Sequence, residues 1–170
     1  MKIILETPRL LLREFTLEDD AFILDLLNTP AWLRYIGDRG VSNLQQAREY
    51  LRNGNLKSYE EHGFGFYMVL LKEGKTPVGS CGLGKREGLD GVDIGFAFLT
   101  EFTGLGYGYE SASAIMDYAR TELKLDRILA ITDPANTASQ KLLEKIGLRH
   151  ERMVTLPNDD VELMLYETTF

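Results

Sequence analysis

The chain is organised around one stretch, Thr103-Gly104-Leu105-Gly106-Tyr107-Gly108-Tyr109-Glu110-Ser111-Ala112. Three glycines at alternating positions lie between an apolar strand, residues 92–99, and an amphipathic helix. The helix is predicted because apolar residues recur every three or four positions from Ala112 to Leu123. Glycine lets the backbone bend freely and lets a ligand approach it closely. The free N–H groups at the start of such a helix favour an anion, most often a phosphate.

Two interpretations of this loop stay open on its own residues. It is not a P-loop, because no Gly-Lys-Ser/Thr follows Gly108, and its G-x-G-x-G spacing does not match a dinucleotide fingerprint. A tight strand-to-helix turn without any ligand explains the glycines equally well.

Length and composition limit the number of domains and the classes of partner that this chain can have. The 170 residues predict a single domain, residues 1–170, and the net charge of −7 argues against a nucleic-acid-binding surface. Cys81 is the only cysteine and the two histidines form no metal motif, so we expect neither a disulfide nor a metal site. The N-terminus lacks a signal-peptide core, and no apolar run reaches the length of a membrane span. We therefore expect a cytoplasmic protein without a membrane partner, as a monomer or homodimer.

The order of hydrophobic periods predicts an α+β fold. It reads β-α-α-β-β-β-α-β-α-β-β, which is a mixed, mostly antiparallel seven-stranded sheet flanked by about four helices. The expected strands are residues 10–15, 64–71, 78–83, 92–99, 127–132, 148–155 and 161–168. Asn28-Thr29-Pro30 is expected to end the first helix, and the segment with Trp32, Arg34 and Tyr35 to be irregular.

This order of elements resembles the GNAT acetyltransferases, which carry a glycine loop after the fourth strand and, as here, Asn136-x-x-Ser139 after the fifth. Further stretches resemble the subgroup that acetylates ribosomal-protein N-termini, the RimJ/RimL type. They are Thr7-Pro8-Arg9-Leu10-Leu11-Leu12-Arg13, Asn28-Thr29-Pro30, Arg34-Tyr35-Ile36-Gly37, Gly106-Tyr107-Gly108-x-Glu110 and Glu162-Leu163-Met164-Leu165-Tyr166. Each stretch is weak alone, but together and in order they cover nearly the whole chain.

The resemblance implies acetyl-CoA as the cofactor. The family's Gln/Arg-x-x-Gly-x-Gly/Ala signature aligns with Thr103-x-x-Gly106-x-Gly108, in which Thr103 departs from the pattern. Backbone N–H groups of the loop would hold the pyrophosphate, and pantetheine would lie between the splayed fourth and fifth strands. The implied cofactor-binding residues are Phe98, Leu99, Thr103, Gly104, Leu105, Gly106, Tyr107, Gly108, Tyr109, Asn136 and Ser139. Asn136 is also a candidate helix N-cap, and the two roles are compatible.

Direct acetyl transfer to an amine needs a base, a partner for the developing negative charge and a proton donor for the departing thiolate. Many relatives place a tyrosine donor seven residues after the motif asparagine, where this chain has Leu143; Ser139 is the replacement candidate. Asp93 is the first candidate for the base, and Glu162, expected on the last strand, is the second. A purely structural, hydrogen-bonded carboxylate remains an alternative for each.

The acceptor is expected to be an amine, bound by Trp32, Arg34 and Tyr35. Packing of Trp32 and Tyr35 against the sheet is the alternative. The resemblance favours a protein N-terminal α-amine as the acceptor. A small amine, such as a polyamine, an amino acid or a drug, is the second choice, and a non-catalytic acyl-CoA-binding module is the third.

Overall fold

A mixed sheet is the frame of the fold in the computed structural model, which describes residues 2–170. Its strands are β1 Ile3–Glu6, β2 Leu10–Arg13, β3 Phe66–Leu71, β4 Pro77–Lys85, β5 Val92–Phe98, β6 Arg127–Thr132, β7 Arg149–Val154 and β8 Leu163–Thr169. The order across the sheet is β1-β2-β3-β4-β5-β6-β8-β7. Neighbouring strands are antiparallel except β5 and β6, which are parallel. The predicted α+β class is confirmed, but the sheet has eight strands rather than seven.

The additional strand is β1, which lies at the edge of the sheet beside β2. Leu5 pairs with Leu12 and Glu6 with Leu11. Neither Ile3 nor Glu6 is buried, so the strand shows little of the alternation that marks a buried face.

Six α-helices, one π-helical stretch and two short 3₁₀ helices are seen within residues 2–170. The helices are α1 Asp20–Leu27, α2 Pro30–Tyr35, α3 Leu44–Leu51, α4 Lys57–His62, α5 Tyr107–Thr121 and α6 Thr137–Lys145. The π-helical stretch Arg52–Leu56 joins α3 to α4. The segment with Trp32, expected to be irregular, is therefore helical. Thr29 accepts a hydrogen bond from the Trp32 amide and Pro30 takes the first helical position, a favourable start for a helix.

The two faces of the sheet are covered by different helices. Helix α5 packs Ile115 and Ala119 on one face, in a core with β3, β4 and β6. On the other face, α1 and α3 bury Ile23 and Leu51 against Met68 of β3. Each face therefore has its own hydrophobic core, and the strands between them are the rigid part that carries the site.

The parallel pair β5–β6 touches at a single point. Asp93 pairs with Leu129, and no further pair follows along either strand. In contrast, β4 and β5 pair continuously from Gly79↔Phe98 to Lys85↔Val92. The carboxyl-terminal halves of β5 and β6 consequently diverge, and a wedge-shaped gap opens between them.

Candidate active site

The gap between β5 and β6 exposes backbone groups of β5. The Leu99 N–H donates to the Val78 carbonyl of β4 at 2.9 Å, and the Leu99 carbonyl accepts the Phe102 N–H at 2.9 Å. Because backbone groups alternate between the two sides of a strand, those of Phe96 and Phe98 point into the gap. Cofactor contact at Phe98 stays a prediction. The backbone groups of Leu99 are already bonded within the protein, so they are less suited to the contact expected of them.

The glycine loop leads from the open end of this gap into α5. Gly104 and Gly106 have φ angles of +74° and +87°, in the left-handed region that favours glycine. The first helical bond runs from the Glu110 N–H to the Gly106 carbonyl. Among residues 2–170, the amides of residues 104–109 find no backbone acceptor, as expected for the unsatisfied start of a helix. These six N–H groups are therefore not used by the backbone of the described chain.

Gly108 and Thr103 show how the loop is built. A Cβ on Gly108 would lie 3.1 Å from Leu142 of α6, so glycine permits the two helices to approach. The Thr103 hydroxyl donates to the Thr100 carbonyl at 2.8 Å, within its own turn. Thr103 therefore stabilises the turn before the loop rather than directing a side chain toward a ligand.

Asn136 and Ser139 lie at the start of α6, which follows β6 on the other side of the gap. The Asn136 side-chain oxygen accepts the Ser139 N–H at 3.2 Å, so Asn136 is an N-cap. The Ser139 hydroxyl is half-buried and makes no hydrogen bond within residues 2–170. Leu143, one turn further, is buried in the core. The start of α6 thus carries the Asn136 side-chain amide and a Ser139 hydroxyl that has no partner among the described residues.

Asp93 is a buried carboxylate at the point where β5 and β6 separate. It is 1% exposed, and its Oδ2 accepts a hydrogen bond from Arg86 Nε at 2.8 Å. Its Oδ1 is buried and has no partner among residues 2–170. Burial raises the pKa of Asp93 above its usual value, although the charge and hydrogen bond of Arg86 act in the opposite direction. A carboxylate with one free oxygen and a raised pKa is suited to accept a proton.

A cavity of about 760 Å³ opens beside this carboxylate, on the face of the sheet covered by α1 and α3. Tyr50, Asn55, Phe66 and Gly84 are among the residues that line it. Gly84 pairs with Asp93 across the strands, and a Cβ at position 84 would lie 3.7 Å from Asp93 Oδ1. The free oxygen therefore lies immediately behind the cavity wall.

The π-helical stretch forms part of that wall. Asn55 Nδ2 donates to the Phe66 carbonyl at 3.1 Å, and the Tyr59 hydroxyl donates to the same carbonyl at 2.5 Å. The Phe66 ring covers two glycines: a Cβ would approach it within 3.0 Å at Gly84 and 2.8 Å at Gly95. These contacts join residues distant in sequence, and the only local signal for them is the presence of two glycines within strands.

The expected acceptor residues are not part of the cavity. Of the described residues that line it, none comes from α2. Trp32 packs against the core formed by α1 and α3, and the Arg34 guanidinium lies 4.9 Å from the centre of the Tyr35 ring. Trp32 therefore packs as the alternative expected, and the cavity is lined mainly by residues of α3, the π-helical stretch and α4.

Glu162 also lies elsewhere than expected. It precedes β8 rather than belonging to it, its side chain is exposed, and it has no hydrogen bond or ion pair with the described residues. Asp93 is thus the better placed of the two carboxylates. Cys81 is fully buried, and burial raises the pKa of its thiol to about 12, so it has the environment of a core residue.

Within residues 2–170, no cluster of three or more side chains is arranged to hold a metal ion. The same residues contain no helix long and apolar enough to cross a membrane.

Comparison with known proteins agrees with this geometry. The acetyltransferase (GNAT) domain family matches residues 9–149. An uncharacterized N-acetyltransferase of Bacillus licheniformis, p20, is 30% identical over 151 residues, which are 88% of this chain and 84% of that protein. A GNAT-family acetyltransferase from Bacillus anthracis superposes with a TM-score of 0.79 at 26% identity, over 98% of both chains.

The fold is also that of the RimL ribosomal L7/L12 α-N-protein acetyltransferase, solved in complex with coenzyme A. Its TM-score is 0.81 at 19% identity, over 99% of this chain and 98% of that chain. The family match spans most of the sequence, and the site offers a strand gap and a loop of free amides that fit the cofactor. The chain therefore belongs to the GNAT family of acetyl-CoA-dependent N-acetyltransferases.

Proposed function

We propose that the protein transfers an acetyl group from acetyl-CoA to the α-amine of a protein N-terminus, and that the acceptor binds in the cavity beside Asp93. The observation that carries this proposal is the position of the Asp93 carboxylate. It lies where β5 and β6 separate, with its free oxygen behind the cavity wall. A group in the strand gap and an amine in the cavity would meet at this carboxylate.

The residues that hold the cofactor come from both sides of the gap. When bound, acetyl-CoA supplies an activated acetyl thioester. The amides of residues 104–109 would bind its pyrophosphate, and the backbone groups of Phe96 and Phe98 would hydrogen-bond its pantetheine arm. Asn136 keeps its Nδ2 group for the same arm while its Oδ1 caps α6.

Asp93 is proposed to take the proton of the acceptor amine. An amine is largely protonated at neutral pH, and only its neutral form has a lone pair for attack. Asp93 Oδ1 is free to receive that proton through one water, while Arg86 holds Oδ2 in place. The Ser139 hydroxyl is proposed to donate a hydrogen bond to the departing sulfur.

The charges around the cavity favour a peptide over a polyamine. Its cationic side chains are Arg39, Lys57 and Lys85, and its carboxylates are Glu49 and Glu61. A polycation would need an excess of carboxylates, which this lining does not provide. A peptide N-terminus carries one amine and neutral backbone groups, which suit the mixed polar lining. The RimL protein of the same fold is described as an α-N-protein acetyltransferase, which supports this choice.

A panel of acceptors tests the proposal. We expect peptides with a free N-terminus to show kcat/KM at least about tenfold above spermidine and free amino acids, equivalent to ~1.4 kcal/mol in transition-state binding. The measurement is release of free CoA thiol. The matched control is each peptide with its N-terminus blocked and an internal lysine retained.

Each other outcome of this panel selects one alternative. Preference for spermidine, an amino acid or a drug amine would replace the peptide by a small acceptor. Slow thiol release that no acceptor accelerates would indicate an acyl-CoA-binding module. Equal rates for free and blocked peptides would move the acceptor from the α-amine to lysine.

Replacing Ser139 with alanine tests the proposed donor. Because the Ser139 hydroxyl has no partner within the described chain, its removal should leave the cap at Asn136 and the fold intact. We expect kcat to fall about tenfold, since one hydrogen bond to a charged group is lost. The KM for acetyl-CoA should change much less. Steady-state kinetics measures both constants, and an unchanged kcat would leave solvent as the proton source.

A further inference from the structure

The glycine loop carries negative charge although its expected ligand is a phosphate. Residues 99–110 include Glu101 and Glu110 but no lysine, arginine or histidine. The start of α5 contributes only about half a positive charge. Glu110 lies in the first turn of α5 and is mostly buried, with 17% of its side chain exposed. The carboxylates of the loop would therefore repel a phosphate, unless another part of the fold supplies a cation.

Lys145 of α6 lies 4.1 Å from the centre of the Tyr109 ring, and a second cation, held by the loop's own Glu110, comes from the turn between β1 and β2. Arg9 donates to Glu110 through its backbone N–H at 2.9 Å and through Nε at 2.8 Å, and the Thr7 hydroxyl donates at 2.5 Å. Burial acts to raise the pKa of Glu110, but the hydrogen bonds from Thr7 and Arg9 hold it below its usual value. Glu110 is therefore ionised, and it orients Arg9.

The remaining contacts of Arg9 fix its guanidinium beside the loop. Nη1 donates to the Leu105 carbonyl at 3.1 Å, and Cζ lies 4.5 Å from the centre of the Tyr107 ring. Nη2 lies 3.1 Å from the position that a Cβ would take on Gly106. It has no acceptor among residues 2–170, and the Arg9 side chain is 48% exposed. A planar donor with a free edge thus lies next to the unbonded amides of α5.

We infer that Arg9, oriented by Glu110, is a phosphate-binding residue of the cofactor site and contacts the pyrophosphate of CoA through Nη2. Nε and Nη1 are used to fix the side chain, and Nη2 remains for the ligand. From the turn between β1 and β2, Arg9 supplies the charged side chain that the loop lacks at Thr103, whose hydroxyl bonds within its own turn. This inference concerns cofactor binding and does not depend on the identity of the acceptor.

Binding of cofactor fragments to the full chain tests the inference without an acceptor. The variant is Arg9→Gln, and the probes are CoA, dephospho-CoA and pantetheine, measured by calorimetry and, for pantetheine, by ligand-observed NMR. We expect Arg9→Gln to weaken CoA and dephospho-CoA equally, by about tenfold, and to leave pantetheine unchanged. The CoA affinity of the natural protein should also fall more steeply with added KCl than that of the variant.

The matched control is Arg120→Gln, which removes the same charge from the exposed far end of α5. It should leave all three affinities unchanged. Unaltered CoA binding by Arg9→Gln would overturn the inference, as would a parallel loss of pantetheine binding, which indicates collapse of the loop. A loss for CoA but not for dephospho-CoA would move the contact to the 3′-phosphate and also overturn it.

A conservative variant keeps the test decisive if Arg9→Gln does not fold. Arg9→Lys retains the charge but cannot donate to Glu110 and Leu105 in the same geometry. We expect it to bind CoA and dephospho-CoA about threefold more weakly, with unchanged pantetheine affinity. Equal losses for all three probes, or no loss for any, would contradict the proposed contact.

Discussion

Replacing Asp93 with asparagine is expected to lower kcat/KM for the acceptor about a hundredfold near neutral pH. Asparagine keeps the shape of the side chain and can still accept from Arg86, but it cannot take a proton. The KM for acetyl-CoA should change little, because the proposed cofactor contacts come from the loop, β5 and α6. Steady-state kinetics with saturating acetyl-CoA measures the effect.

The pH dependence separates a base from a structural carboxylate. Burial raises the pKa of Asp93, so the natural enzyme should gain activity as pH rises through that value, where the basic form appears. The Asp93→Asn variant should lose this rise of activity on the acidic side of the pH–rate profile. Its activity should instead follow the free amine, increasing by about one log unit per pH unit. The deficit should therefore shrink at high pH.

Glu162→Gln is the control, because Glu162 is exposed and has no partner among the described residues. It should keep the natural rate and pH profile. The assignment must be exchanged if Glu162→Gln loses the acidic limb while Asp93→Asn retains it. Thermal unfolding of both variants accounts for any loss of stability from the altered Arg86 partner.

Local signals predicted the loop and much of its surroundings. The glycines at 104 and 106 occupy left-handed φ values, and the strand before them and the helix after them lie as their hydrophobic periods indicated. Thr16 and Asp19 form a capping box, which the spacing of a threonine and an acidic residue three positions later indicates. In each case the residues that determine the conformation are within a few positions of one another. The local sequence is therefore enough to predict it.

Strand β1 and helix α2 were not predicted, for two different reasons. Strand β1 is a strand because it pairs with β2, and its exposed ends carry no alternation. Asn28-Thr29-Pro30 follows the end of α1, as predicted, but the pair Thr29-Pro30 also begins α2. A threonine followed by proline is compatible with both, since proline ends a helix before it and favours the first position of the next.

The geometry of the site could not be predicted without knowing the register of the strands. Whether Leu99 or Phe98 faces the gap depends on which side of the strand its backbone groups point to, and a shift of one residue reverses the answer. The cavity wall joins Asn55 to Phe66 through a π-helical turn that no short pattern indicates. The position of Asp93 on its strand was enough to propose it as the base. Its ion pair with Arg86 could be identified only from the three-dimensional structure.

Replacing Gly106 with valine is expected to weaken CoA binding by about a hundredfold, ~2.7 kcal/mol. A branched side chain at a φ of +87° is strained by more than the ~1–2 kcal/mol that an ordinary residue loses in the left-handed region. Its Cβ would also lie 3.1 Å from Arg9 Nη2, so the guanidinium must move away. Both changes disturb the amides expected to face the pyrophosphate. Calorimetric titration with CoA measures the loss.

Gly63→Val separates strain from ligand binding. Gly63 has a φ of +77° and open space around its Cβ position, and it ends α4 before β3, whereas the glycine loop follows the carboxyl end of β5. This variant should lose stability by a similar amount, visible in thermal unfolding, while its CoA affinity stays within about twofold of the natural protein. Since Gly106→Val should add a binding defect to a comparable loss of stability, unchanged CoA affinity in that variant would rule out the loop as the phosphate site.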